Sequence, residues 1–76
     1  MASGEQIRNV FEEVRAEFDL SREELTSKKR DEYTIRAKTV LAKRLFAIGL
    51  IYAHIGRLMK IDGGGARYLI KKIKTL

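Results

Sequence analysis

Hydrophobic residues recur along this chain with the period of a helix. Ile7, Val10, Phe11, Val14 and Phe18 stand at i, i+3, i+4, i+7 and i+11, one apolar stripe of an amphipathic helix. The acids fall off that stripe, so the spacing predicts a supporting helix over about 4–18. "LSREEL" (20–25) predicts a second, short helix. Ser21 holds the N-cap position with Glu24 three residues on, a capping box, and Leu20 and Leu25 can staple the turn. A central helix is predicted over 31–48, with Ile35, Leu41, Ala42, Leu45 and Ile48 as its buried line and Val40 near the edge. Lys38 falls close to this line, which predicts a packed stem and an ammonium reaching outward. Gly49 stands where the helix should stop, as a left-handed residue just past its end.

"LIYAHIGRLM" (50–59) predicts one more short helix, with Ile51, Ile55, Leu58 and Met59 facing inward and Gly56 at a close-packing point. "KID" (60–62) is long enough only for a turn. The last helix is predicted over about 63–74, where Ala66, Leu69, Ile70, Ile73 and Leu76 fall within an arc of roughly 120°. Arg67, Lys71 and Lys74 lie along one edge of the opposite side, and Tyr68, Lys72, Thr75 and Gly64 share the rest. The fold class expected is therefore all-α: a small helical bundle in which 51–74 forms a helix-turn-helix.

Composition narrows the picture. The 76 residues leave room for a single domain spanning 1–76, and proline is absent, as suits a helical chain. Cysteine is absent and His54 is the lone histidine. No metal site, cofactor or catalytic constellation is expected, and the chain does not read as an enzyme. His54 is placed outward beside Arg57, as a surface residue or a minor phosphate contact. Tyr33 and Tyr52 read as core or boundary residues. "LFAIGLIYA" (45–53) is far short of the roughly 20 apolar residues that cross a bilayer. With no secretory pattern at the N-terminus, the expected location is cytoplasmic.

Charge changes the picture most. The net charge is +6. Residues 1–25 carry three arginines against seven acids, net −4, and residues 26–76 carry 13 Lys/Arg against three acids, net +10. A basic half of this density points to a polyanion. Lys28, Lys29 and Arg30 are consecutive, so no single helix face carries all three; on a loop ahead of the central helix they suit phosphate oxygens. A short helix, a tight turn and a basic amphipathic helix suit double-stranded DNA: cations neutralise phosphates, and the first exposed turns of the second helix meet base edges.

The order of parts resembles the C-terminal DNA-binding domain of DnaA-type bacterial replication initiators, over about 10–74. Lys28-Lys29-Arg30 resemble that family's basic loop, and Ala37-Lys38 its Ala-Arg at the opening of the central helix. Gly49 matches the glycine that ends this helix, Ile55-Gly56-Arg57 an "IGR" signature, and Lys71-Lys72-Ile73 the close of the recognition helix. The resemblance implies a trp-repressor-like helical fold. It also implies sequence-specific binding of double-stranded DNA, with phosphates held by the basic loop and central helix, the loop reaching the minor groove, and bases read from the last helix. The family's base-reading run, of the Asp-His-Thr-Thr type, stands here as Asp62-Gly63-Gly64-Gly65.

Three glycines at a helix start are costly, roughly 1 kcal/mol each relative to alanine. Three roles are open to them. Bare N–H groups at a helix N-terminus can sit against a phosphate. A loosened first turn can order on its ligand. Or the reading surface is erased, leaving a protein-interaction module on the same fold. The candidate DNA-binding residues are Lys28, Lys29, Arg30, Lys38, Arg57, Gly63, Gly64, Gly65, Arg67, Tyr68, Lys71 and Lys72. The expected partner is double-stranded DNA, in the control of transcription or replication, with a protein partner as the alternative. An acidic membrane ranks last, because "AKRLFAIGLIYAHIGRLMK" (42–60) needs the same apolar positions for the core. The oligomeric state is left open.

Overall fold

The computed structural model describes residues 3–28, 31–61 and 63–71. They form five helices and, among the described residues, no strand: α1 (Gly4–Phe18), α2 (Arg22–Leu25), α3 (Glu32–Ala47), α4 (Tyr52–Met59) and α5 (Gly63–Lys71). The expected small all-α bundle is the observed one. α3 is its axis and packs on each of the other four, while α4 and α5 pack most closely on one another.

The first three helices start on side chains that satisfy backbone donors. Ser3 accepts from Gln6 N–H at 3.1 Å and Gln6 Oε1 accepts from Ser3 N–H at 2.9 Å. The same reciprocal pair joins Ser21 and Glu24, the capping box predicted there. Asp31 caps α3, accepting from the Thr34 N–H at 3.1 Å and from the Thr34 hydroxyl at 2.8 Å.

The ends share one device. Asp19, Gly49 and Lys60 take left-handed backbone (φ 53°, 104° and 59°), and each reverses the chain after a helix. The following N–H then reaches back five residues: Leu20 to Arg15 O, Leu50 to Leu45 O and Ile61 to Gly56 O. This is the Schellman-type closure, in which an apolar residue beyond the turn falls onto the core. Leu50 is buried, and Leu20 and Ile61 pack half-buried against the same cluster.

The core holds Val10, Phe11 and Val14 of α1, Leu25 of α2, Ala37, Leu41, Ala42 and Leu45 of α3, Ile55 and Met59 of α4, and Ala66 and Leu69 of α5. Two expectations need correction. The buried line of α3 runs through Thr34, Ala37, Lys38, Thr39, Leu41, Ala42 and Leu45, with Ile35 and Ile48 only half-buried. Thr39 fits inside because its hydroxyl donates to Ile35 O at 2.8 Å, back along its own helix. Ile51 is not inward: it is 67% exposed, because it holds the N-cap of α4 ahead of the first packed turn.

Candidate nucleic-acid interface

The candidate contacts converge on α4 and α5. Helix α4 begins at Ile51, which makes no side-chain cap hydrogen bond, so its first N–H groups have no such acceptor. It ends at Lys60, whose N–H donates to Arg57 O at 3.3 Å, while Ile61 N–H donates to Gly56 O at 2.8 Å. Helix α5 then starts beside the start of α4. A Cβ built on Gly63 would lie 3.7 Å from Ala53 Cα and 3.8 Å from Ala53 N. The N-terminal turns of the two helices are therefore neighbours, and the small residues Ala53 and Gly63 form the contact. Gly56 is buried within α4.

Each helix turns one stripe outward. On α5, Gly64, Arg67, Tyr68 and Lys71 are all exposed, at i, i+3, i+4 and i+7. The opposite side buries Ala66 and Leu69 with Ile70 half-buried, so the predicted rotation of the helix holds. On α4, Ala53, His54 and Arg57 are exposed, and Lys60 projects from the turn that follows. No acid lies on either stripe; from residue 33 to the end of the chain Asp62 is the sole carboxylate side chain. Gly63 and Gly65 are half-buried and only Gly64 is fully outward.

Lys28 and Lys38 occupy other places. Lys28 is exposed on the connection between α2 and α3. The connection is tethered at its start: the Thr26 hydroxyl donates to Arg22 O at 3.0 Å and the Ser27 hydroxyl to Glu24 O at 2.8 Å. Lys38 does not reach outward. It is only 5% exposed, and its ammonium donates to the Ser27 carbonyl. A lysine expected to touch phosphate instead anchors the segment that presents Lys28. Lys29, Arg30 and Lys72 lie outside the described residues, as do Asp62, Ile73, Lys74 and Leu76.

Two features escaped the sequence reading. Lys60 in left-handed backbone has no local signature, since glycine or asparagine usually fills that place. The meeting of Ala53 with Gly63 depends on how two helices cross, although the small residues at both positions were a signal. Comparison with protein-family models, with curated proteins and with solved structures finds no match to this chain.

Proposed function

We propose that this chain is a small double-stranded DNA-binding domain acting in the cytoplasm in the control of transcription or replication, with α4–turn–α5 as its helix-turn-helix. The observation that carries the reading is the surface shared by α4 and α5, where Arg57, Lys60, Arg67 and Lys71 are exposed with no acid among the described residues of either helix, and where the N-terminal turns of the two helices adjoin. Such cations displace condensed counterions from a duplex, and helix N-termini favour phosphate oxygens. The resemblance of the basic loop, the Ile55-Gly56-Arg57 signature and the Lys71-Lys72-Ile73 close to DnaA-type initiators supports the same reading.

In this arrangement Gly64 lets the backbone of α5 come close to the duplex, and Arg67, Tyr68 and Lys71 do what base reading there is. Few side chains then face bases, so discrimination is modest: a good bidentate contact contributes about 1–3 kcal/mol. Lys28 adds a phosphate contact from the tethered connection before α3.

The test is a salt titration of binding to random and selected duplexes. The logarithm of the binding constant should fall linearly with log salt, with a slope near −0.9 for each phosphate neutralised. Substituting Lys28, Lys29 and Arg30 together by alanine should flatten that slope and weaken every duplex alike. No binding even at low salt would reject the proposal and favour a protein-interaction module. One observation favours that second reading: Phe46 and Ile51 are exposed beside Tyr52, whose ring stacks on Phe46 at 5.1 Å.

A further inference from the structure

The outer face of α3 carries cations that the α4–α5 surface does not include. Arg36, Val40 and Lys43 stand at i, i+4 and i+7, with Arg44 beside them, and together with Glu17, Phe18 and Tyr33 they line an open groove of about 650 Å³ between α1 and α3. Its floor is apolar and held in place. The Tyr33 ring meets Phe18 edge-on at 5.6 Å, and its hydroxyl donates to Phe18 O at 2.6 Å. Arg44 is occupied by Glu17 at 2.9 Å. Among the described residues Arg36 and Lys43 form no ion pair.

The complementary surface is on α1. Glu5, Asn9 and Glu13 are exposed at i, i+4 and i+8, and among the described residues neither glutamate is ion-paired. Arg36 and Lys43 are seven residues apart and Glu5 and Glu13 eight, so both pairs span about 10–12 Å along their helices. The two helices are also matched in length, 15 and 16 residues.

We infer that a second copy of this chain docks here, each α1 laying its Glu5–Glu13 face along the Arg36–Lys43 groove of the other. Under one two-fold axis each acidic face meets the other copy's basic groove, so the contact closes as a dimer without propagating. Exposed ion pairs are individually weak and are screened by salt. The dimer is therefore weak in dilute solution and strongly dependent on ionic strength. It carries two α4–α5 surfaces, the arrangement a palindromic ligand requires.

The experiment is sedimentation equilibrium of the 76-residue chain without DNA, at about 20 mM and about 500 mM salt. A concentration-dependent dimer is expected at low salt and mostly monomer at high salt. R36E/K43E should weaken association about tenfold or more, and E5K/E13K should do the same. The neutral pair R36Q/K43Q should give a smaller loss, and circular dichroism checks that each variant stays helical. An equimolar mixture of R36E/K43E with E5K/E13K should associate again, because both contacts of the mixed dimer are complementary. A monomer at low salt throughout the concentration range, a dimer indifferent to R36E/K43E, or a mixture that fails to recover would each overturn the inference. The first of these would leave the groove to some other acidic ligand. The assay contains no DNA, so its outcome is separate from that of the DNA reading.

Discussion

Helices α1 to α3 begin on Ser3, Ser21 and Asp31, side chains that close the first turn, whereas α4 begins on Ile51, which closes nothing. Helix α5 opens on three successive glycines, the residues that lose most backbone freedom on ordering. Polar groups follow the same division. On α3, Thr34, Lys38 and Thr39 are buried and hydrogen-bonded, while α4 and α5 bury no polar side chain among the described residues and expose their cations. Helices α1 to α3 are started by their own local chemistry. Helices α4 and α5 are held by the apolar core through Ile55, Met59, Ala66 and Leu69 and face their cations outward.

The comparison can be broken or sharpened in four ways. The largest effect should come from Leu41→Ala, which opens a cavity at the axis of the bundle and should cost about 2–5 kcal/mol; a chemical denaturation curve measures it. A loss below about 1 kcal/mol would mean that α3 is not the axis. Next, Lys38→Met should cost about 1–3 kcal/mol, because the Ser27 carbonyl loses its charged donor. Hydrogen exchange at residues 26–28 should rise in the same variant, and unaltered protection there would dismiss the anchoring role.

Ile51→Ser supplies the missing cap on α4 and should stabilise by about 0.5–1 kcal/mol, since little burial is lost at so exposed a position. If the open N-terminus of α4 serves phosphate, DNA affinity should fall while the melting temperature rises. The smallest effect is expected from Gly64→Ala, up to about 1 kcal/mol of stabilisation in the first turn of α5. Close backbone approach to DNA requires this more stable variant to bind more weakly; tighter binding would remove Gly64 from the interface.

Features that depend on neighbours in sequence were legible before any coordinates. Ser21 with Glu24, the stripe from Ile7 to Phe18 and the stop at Gly49 each need only a few adjacent residues. So did the rotation of α5, because Ala66 and Leu69 alternate cleanly with Arg67, Tyr68 and Lys71. What failed turns on hydrogen bonds and helix ends that hydropathy alone does not show. Thr34 and Thr39 are polar by hydropathy but satisfy themselves within one helical turn, so they enter the core where Ile35 does not. Lys38 is buried because Ser27, eleven residues earlier, offers it a carbonyl. Ile51 looked inward because it is apolar, yet its place is fixed by where α4 begins. For the candidate interface, the stripe on α5 was visible and the side-by-side placing of Ala53 and Gly63 was not.

The acids and the acid-free surface sit on different helices of a molecule only 31 × 25 × 21 Å in extent. Six exposed carboxylates (Glu5, Glu12, Glu13, Glu17, Asp19 and Glu23) belong to α1, α2 and the turn between them, and α4 and α5 have none. Opposite charge at two places in so small a body makes a permanent electric dipole. In the field of a polyanion that dipole feels a torque as well as a pull, so the molecule turns before it touches. If DNA is the partner proposed above, encounters should begin with α4 and α5 foremost, and the search over orientations that ordinarily slows association should be shortened. On that reading, reversing charge on α1, which carries none of the proposed contacts, should alter how fast complexes form at low ionic strength and leave their lifetime nearly unchanged.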